Sequence, residues 1–311
     1  MARAPNSPIS TPDTVTLARK IKDRALTYRG GVTEPERWDA LKPRVGDVIL
    51  ATPAKSGTTW TQSMVAMLLN GTTSLPEPLS VMSPWIESNF SELKADIAAL
   101  DRQTGRRVIK THTPADGWPV WEGVDVVMVF RHPLEVFLSI RKHIKNAKVS
   151  DAHPLLEPID TSLSYFLSRQ FDPKDIDQDC LATICEFFER SVTSDRVPRK
   201  LVLNYAGISR DHAGTVRKLD AFLATDASDA LIADIVRATE FAAMKAKAAD
   251  FAPEAANDLW HDDVKFFAGG QSGAWRAEFT NDQIALYDAA FARLMPDEEL
   301  RHWIETGLGD V

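Results

Sequence analysis

The stretch DVILATPAKSGTTWTQSMVAMLLNG, residues 47–71, carries the strongest indication of the fold in the chain. It begins with a continuous aliphatic run and passes, after a turn at 53–60, into a helix-like segment that starts near Thr58 and that Asn70-Gly71 terminates. A continuous apolar strand is typical of a parallel sheet covered on both faces. The turn contains one Lys, one Gly and three hydroxyl side chains, a composition that suits a bound anion.

Three further apolar runs repeat this pattern, and each is followed by helix-like sequence or by a loop that leads to one. They are 107–110, 124–130 and 201–203. Segments with the spacing or the start signals of helices lie at 134–142, 180–192 and 215–223. We therefore predict an α/β fold with three layers, in which a central parallel sheet is flanked by helices, and a P-loop-like nucleotide-binding architecture.

Composition along the chain predicts its domain organisation. Residues 16–311 contain no boundary strong enough to divide them, so we predict a single domain. Residues 1–15 are rich in Pro, Ser and Thr and are expected to be disordered. The stretch 151–179 combines Pro, Asp and Ser with some aromatic side chains, which predicts a long loop or a lid over a site.

Overall charge and apolar content limit the partners. The 44 acidic and 36 basic side chains give a net charge of -8, which argues against a protein that coats nucleic acid. No run of about 18 apolar residues occurs and the first residues lack an apolar core, so we expect no membrane partner and a cytoplasmic location. Cys180 and Cys185 have no His or Cys neighbours at metal spacing, and we predict buried cysteines and no metal site.

The turn at 53–60 departs from the Walker A loop of nucleotide kinases and NTPases. That loop reads G-x-x-x-x-G-K-[ST], with its Lys after the second Gly. Here Lys55 precedes Gly57 and the opening Gly is absent. Two alternatives stay open: a P-loop-like kinase or NTPase, which requires a complete loop and an acidic metal ligand, and a non-catalytic nucleotide-binding module.

Two other predicted strands also end in basic side chains. Lys110 and His112 lie at the end of one strand, and Arg131 at the end of another, with Ser139 in the helix that follows. Because the carboxyl ends of parallel strands meet at one edge of a sheet, we expect these side chains to lie near Lys55. Basic strand ends do not match the acidic metal ligand of a kinase.

With these motifs the chain resembles the cytosolic-type sulfotransferases, which transfer a sulfuryl group from 3′-phosphoadenosine 5′-phosphosulfate (PAPS) to an acceptor. The resemblance extends over roughly residues 40–285, in the order of the family. Its main segments are AKSGTTW at 54–60, PWIE at 84–87, IKTHTP at 109–114, VFRHPLEVFLS at 129–139, ATEFAAMK at 238–245 and GGQSGAWRAEFT at 269–280.

The resemblance implies roles for individual residues. The residues that would bind PAPS, or its product 3′-phosphoadenosine 5′-phosphate (PAP), are Lys55, Ser56, Gly57, Thr58, Thr59, Trp60, Arg131, Ser139, Tyr205, Thr239, Phe241, Gly269 and Gly270. The catalytic residues would be Lys55, Lys110, His112 and Ser139. In this scheme His112 is the general base that takes the proton of the attacking hydroxyl in an in-line displacement, Lys55 neutralises the bridging oxygen, and no metal takes part.

The resemblance is less specific about the acceptor. The acceptor would contact Trp85, Phe90, His112 and Val149, and an alcohol or phenol is expected, with an amine left open. His143 stands where many relatives have an aromatic residue, and it and the remaining histidines are expected to have surface or structural roles.

Two segments near the C-terminus depart from the family pattern. Where the family has Arg-Lys-Gly, this chain has Ala268-Gly269-Gly270, so we hypothesise that Lys265 or Arg276 supplies the missing charge to the 3′-phosphate. The dimerisation segment lacks its Val and Glu, which leaves monomer or homodimer undecided.

Overall fold

A computed structural model describes residues 15–148, 153–252, 260–267, 272–309 and 311. The strands are β1 (Lys20–Lys22), β2 (Val48–Ala51), β3 (Val108–Thr111), β4 (Val120–Trp121), β5 (Asp125–Phe130) and β6 (Lys200–Asn204). Four of them form a parallel sheet in the order β3-β2-β5-β6. β1 and β4 form a separate antiparallel pair.

The α-helices surround this sheet. They are α1 (Thr58–Asn70), α2 (Leu79–Met82), α3 (Leu93–Arg102), α4 (Pro133–Asn146), α5 (Ile159–Ser168), α6 (Leu181–Phe188), α7 (Tyr205–Arg210), α8 (His212–Leu223), α9 (Asp229–Ala238), α10 (Phe241–Ala246), α11 (Ala248–Phe251), α12 (Asp263–Phe266), α13 (Asn281–Leu294) and α14 (Glu298–Thr306). α6 continues into a π-helical turn, Glu189–Thr193.

The strand side chains alternate between two apolar cores, one on each face of the sheet. Val48 and Leu50 pack with α1, α8 and α9, whereas Ile49 and Ala51 face α4, α5, α6, α13 and α14. A strand that is buried on both faces needs apolar side chains at every position, which explains the continuous runs in the sequence. The predicted three-layer fold with a central parallel sheet is confirmed.

The helix that follows β2 has the predicted bounds. α1 begins at Thr58, directly after Gly57 in the left-handed region, and Gly71 ends it with φ of 62°. A left-handed residue after the last turn is the usual way to pair the final carbonyls of a helix, and Gly adopts it without strain. The Gly71 N–H accordingly donates to the carbonyl of Leu68.

The predicted long loop at 151–179 is wrong in its centre, where α5 lies between two short 3₁₀ turns. Leu163, Phe166 and Leu167 occur at helical spacing and are buried against the core. The apolar pattern is only a few residues long and is flanked by Pro, Asp and Ser residues, so it did not predict a helix. Closure of this segment as a lid stays a prediction. So do the single domain and the disorder of 1–15, of which 1–14 lie outside the described residues.

Candidate active site

A cavity of about 570 Å³ lies at the carboxyl ends of β2, β3 and β5. Most of the predicted site residues line it: Lys55, Gly57, Thr58, Thr59, Trp60, Trp85, Phe90, Lys110, His112, Arg131, Ser139, Tyr205, Thr239 and Phe241. Ser56 is fully buried beside this cavity. Val149, Gly269 and Gly270 lie outside the described residues.

The turn between β2 and α1 has an unusual backbone. Lys55 and Gly57 have φ of 60° and 108°, both in the left-handed region, which is uncommon for a residue with a side chain. At Gly57 a Cβ atom would lie 2.8 Å from Cδ2 of Tyr205, so only glycine fits. The Ser56 hydroxyl is buried and has no hydrogen-bond partner among the described residues. Successive N–H groups in such a turn, at the start of a helix, form an anion-binding concavity.

Lys55 points across the cavity toward α4 and α12. Its Nζ lies 2.9 Å from Nδ1 of His143 and 4.2 Å from the centre of the Phe266 ring. Burial, together with the charges of Lys110 and Arg131, lowers the pKa of Lys55 to about 7. The ammonium group is therefore close to losing its proton at neutral pH, and a bound anion would favour its charged form.

His112 is held as a neutral imidazole in one tautomer. Its Nδ1 donates a hydrogen bond to the Thr52 carbonyl at 2.8 Å, which leaves Nε2 with a free lone pair. The ring packs edge-on against Trp85, with centroids 4.7 Å apart. Burial and the charge of Lys110 lower the pKa of His112 to about 3. The imidazole is therefore neutral throughout the physiological pH range with the Nε2 lone pair available, and it becomes a stronger base when a negative charge beside it offsets the effects that lower its pKa.

The Glu87 carboxyl group holds the backbone around His112 in place through hydrogen bonds. No separate role was predicted for this residue. Its Oε1 accepts from the Thr111 hydroxyl at 2.6 Å, the His112 N–H at 2.7 Å and the Thr113 hydroxyl at 2.9 Å. The side chain is fully buried, and burial raises its pKa. In the sequence, the available signal for a structural role of Glu87 was a carboxyl group directly after three apolar residues, Pro84-Trp85-Ile86.

The 84–86 segment extends the sheet beyond β3. The Lys110 N–H donates to the Pro84 carbonyl at 3.0 Å, and the Ile86 N–H donates to the Lys110 carbonyl at 3.2 Å. This pairing places the Lys110 ammonium 4.9 Å from the centre of the Trp85 ring. Trp85 in turn contacts Phe90 edge-on, with centroids 6.1 Å apart, so both aromatic rings predicted for the acceptor share one wall of the cavity.

A group of aromatic side chains forms another part of the cavity wall. The Trp60 ring lies 5.3 Å from that of Tyr205 and 5.0 Å from that of His212. The Thr239 hydroxyl donates to the Ile235 carbonyl and lies 3.0 Å from His212 Nε2, which fixes the imidazole beside Trp60. The geometry provides flat apolar faces suited to a nucleobase.

Arg131 is tied to the C-terminal segment through a shared carboxylate. Its Nε donates to Oε2 of Glu135 at 2.9 Å, and the Gly273 N–H donates to Oε1 of the same group. The guanidinium lies 4.2 Å from the centre of the Tyr205 ring. Lys265 is exposed on the cavity rim, whereas Arg276 stacks on Trp275.

His143 was missed as a site residue, because surface or structural roles were expected for it. It lies four residues after Ser139 on α4, and a spacing of four places two side chains on the same face of a helix. Since Ser139 was already predicted to face the site, this spacing was the available signal. The His143 ring packs against Trp260 at 4.4 Å, and burial and the Lys55 charge hold its pKa well below its usual value.

The membrane and metal predictions concern features beyond the cavity. In the part of the chain that the structure describes, no helix is both long and apolar enough to cross a membrane. The same residues include no group of three or more His, Cys, Asp and Glu side chains able to hold a metal ion. The cytoplasmic location, the absence of metal and the oligomeric state stay predictions.

The chain belongs to the sulfotransferase family, since the family model of the sulfotransferase domain matches residues 45–299. A glycolipid sulfotransferase of Mycobacterium tuberculosis is 29% identical over 309 residues, covering 91% of this chain and 94% of that protein. This match does not favour the kinase or the non-catalytic alternative.

Two solved structures share the fold. A mouse sulfotransferase, SULT7A1, in complex with PAP has a TM-score of 0.64 at 21% identity and covers 87% of this chain and 92% of its own. Retinol dehydratase in complex with retinol and PAP has a TM-score of 0.68 at 17% identity and covers 84% of each chain.

Proposed function

We propose that this protein transfers a sulfuryl group from PAPS to a hydroxyl group of a small-molecule acceptor, with His112 as the general base. The observation that carries this proposal is the hydrogen bond from His112 Nδ1 to the Thr52 carbonyl, which leaves the Nε2 lone pair available to the acceptor hydroxyl. Burial and the charge of Lys110 lower the pKa of His112, and the negative charge of the bound donor would raise it toward neutral pH. The PAP-bound structural neighbours and the glycolipid sulfotransferase support the same donor and a hydroxyl-bearing acceptor.

The residues of the turn fit the donor. Its left-handed backbone at Lys55 and Gly57 and the unpartnered buried hydroxyl of Ser56 suit a phosphate oxygen. Ser56 to Thr59 would hold the 5′-phosphate, and Arg131 with Ser139 would hold the 3′-phosphate.

The remaining donor contacts involve the base and the C-terminal glycines. The base pocket would consist of Trp60, Tyr205, Thr239 and Phe241. Gly269 and Gly270 would add backbone N–H donors.

Each chemical role follows from the position of a side chain. When bound, the donor supplies the sulfuryl group and is released as PAP. His112 Nε2 takes the hydroxyl proton, and the Thr52 carbonyl stabilises the imidazolium that forms; a positioned base of this kind contributes about 10²–10⁴-fold. Lys55 and Lys110 place two positive charges beside the transferred group, where negative charge increases.

The first experiment is calorimetric binding of PAP and of adenosine 5′-phosphate to the wild type and to Arg131→Ala. A charge-assisted contact is worth about 1.5–3 kcal/mol, so we expect the wild type to prefer PAP by about 10- to 100-fold and the variant to lose this preference. Tighter binding of Mg-ATP than of PAP would instead support a kinase or NTPase.

The second experiment tests the base. We expect His112→Ala to lower the rate of sulfuryl transfer by about 10²–10⁴-fold and to leave PAP affinity within about threefold of the wild type. The matched control is His212→Ala, which removes an imidazole beside Trp60 and should affect nucleotide binding more than turnover. Equal rates for His112→Ala and the wild type would contradict the proposed base.

A further inference from the structure

We propose that the acceptor end of the cavity selects a molecule with several hydroxyl groups on an apolar body, and that Asp179 binds the hydroxyls that do not react. This inference rests on the proposed function, because the acceptor must share the cavity with the sulfuryl donor. Asp179 lines the cavity, but neither the motifs nor the chemistry described above uses it.

The position of Asp179 is fixed by its neighbour Asp177. The Asp177 carboxylate accepts from the Val32 N–H at 2.8 Å and from the Thr33 N–H at 3.1 Å and hydroxyl at 2.6 Å. The Val32 carbonyl accepts from the N–H of Asn89 at 3.0 Å, one residue before Phe90. These bonds join the end of the 151–179 segment to residues 32–33 and 89, so Asp179 lies near Phe90, which is predicted to contact the acceptor.

The carboxyl group of Asp179 has no hydrogen-bond partner among the described residues. It lies near enough to Lys55 for each to influence the charge of the other. Burial and the neighbouring Asp177 charge raise its pKa to about 7. A carboxyl group that is half protonated at neutral pH both donates and accepts hydrogen bonds, as a hydroxyl does.

Two further hydrogen-bond acceptors face the same space. Among the residues that the structure describes, His112 Nε2 has no hydrogen-bond partner, and His143 Nδ1 is paired with the Lys55 ammonium alone, 2.9 Å away. If the Lys55 ammonium group moves to contact a bound anion, His143 loses its hydrogen bond to Lys55, and Asp179 loses the nearby positive charge. Both side chains are partly exposed to the cavity, so a bound acceptor would displace the water around them. A polar group left unpaired in this way costs about 1–3 kcal/mol, and a molecule with one hydroxyl would pair with His112 and leave the others unpaired.

The surrounding charge favours hydroxyls over an ammonium group. Burial is the main cause that lowers the pKa of His112 and of His143, and the charges of Lys55 and Lys110 add to it. Two lysines beside these rings give a positive potential where the acceptor reacts. A cationic acceptor would be repelled there. The apolar body has its own surface, because Val32, Trp85, Phe90 and Ile176 line the same wall.

The test compares two acceptors with the same eight-carbon tail, octyl glucoside and octanol, at saturating PAPS. We expect the wild type to have a kcat/KM at least tenfold higher for the glucoside. Asp179→Ala should lower kcat/KM for the glucoside at least tenfold more than for octanol. Asp179→Asn should stay within about threefold of the wild type for the glucoside, because an amide still donates and accepts hydrogen bonds.

Two controls show whether the effect is specific to the Asp179 carboxyl group. Asp177→Asn makes the same charge change two residues away. Its amide keeps an oxygen that accepts from the N–H groups of residues 32–33, so Asp179 should stay in place and both acceptors should be affected equally. PAP affinity, measured by calorimetry in each variant, should stay within about threefold of the wild type and reports a folded nucleotide site.

Several outcomes would overturn the inference. An equal loss for both acceptors in Asp179→Ala would assign the residue to the positioning of Lys55. If Asp179→Asn is as defective as Asp179→Ala and the wild type prefers 8-amino-octanol, the residue binds a cation. Turnover of 2-naphthol without turnover of the glucoside would refute this inference alone. Absence of turnover with every acceptor would refute the proposed function as well.

Discussion

The two sides of the cavity are built in different ways. On one side, Lys55, His112 and Arg131 follow the ends of three hydrogen-bonded parallel strands, so the sheet sets their separation. On the other side, His143, Asp179 and Lys265 come from a helix end, a loop and the short helix α12. The strand-end side holds the groups suited to the chemistry, and the rest of the wall holds those suited to choosing a ligand. Substitutions on the two sides should therefore have different effects.

The largest difference is expected between two lysines that line the same cavity. Lys55→Met keeps the aliphatic part of the side chain and removes the charge, and should lower kcat by about 10²–10³-fold, the effect of losing one group that stabilises the transition state. Lys142→Met makes the same change on α4, where the side chain is exposed at the cavity wall, and should change kcat by less than about threefold. Steady-state kinetics with PAPS measures both, and similar losses would remove the distinction between the two sides.

Glu87 tests how rigidly the strand-end side is supported. Glu87→Ala removes the acceptor of three hydrogen bonds and should lower the free energy of unfolding by about 3 kcal/mol. Glu87→Gln keeps an oxygen at the same place and should cost less than about 1 kcal/mol. Urea unfolding at pH 7 measures both, and a Gln variant as unstable as the Ala variant would show that the negative charge is needed.

The pH dependence of the Glu87 effect has a definite sign. Because burial raises the pKa of Glu87 in the folded state, the unfolded chain releases this proton at a lower pH than the folded one. Stability contributed by the protonated form is therefore lost as pH rises above the unfolded pKa of about 4.3. The Gln variant lacks this proton and should lose less stability between pH 5 and pH 8.

A smaller effect is expected from the titration of Lys55. Its pKa of about 7 means that the ammonium form dominates below pH 7 and is lost above it. PAP affinity should therefore fall as pH rises from 7 to 9, by at most about tenfold per pH unit for one proton. Calorimetry in two buffers of different ionisation enthalpy should detect proton uptake on binding. Lys55→Met should remove that uptake, and an unchanged uptake in the variant would assign it to another group.

The sequence predicted the strand-end side well, for a physical reason. The apolar runs before Lys55, Lys110 and Arg131 had to be parallel strands, and parallel strands bring their ends to one edge. The contact between Lys55 and His143 depends instead on where α4 lies relative to a turn 88 residues away, and no local pattern encodes that. Asp179 was inside the 151–179 segment that was predicted to be one loop.

Glu87 escaped prediction for a related reason. Its three hydrogen-bond donors belong to residues 111–113, which meet it only because 84–86 pairs with the edge of β3. A buried carboxyl group with non-local donors looks, in sequence, like any acidic residue beside an apolar stretch.

The smallest effect is expected at Lys265, where the missing cations of the C-terminal segment are to be replaced. Its side chain is 71% exposed and 4.0 Å from Asp262, so solvent and a neighbouring carboxylate both weaken its field. Exposed ion pairs contribute about 0.2–1 kcal/mol, and Lys265→Ala should weaken PAP binding by about two- to fivefold at low salt. Arg276→Ala is the matched comparison, and it should have the smaller effect because the guanidinium stacks on Trp275. Unchanged PAP affinity in both variants would mean that neither side chain replaces the missing charge, and that Arg131 and the backbone hold the 3′-phosphate without them.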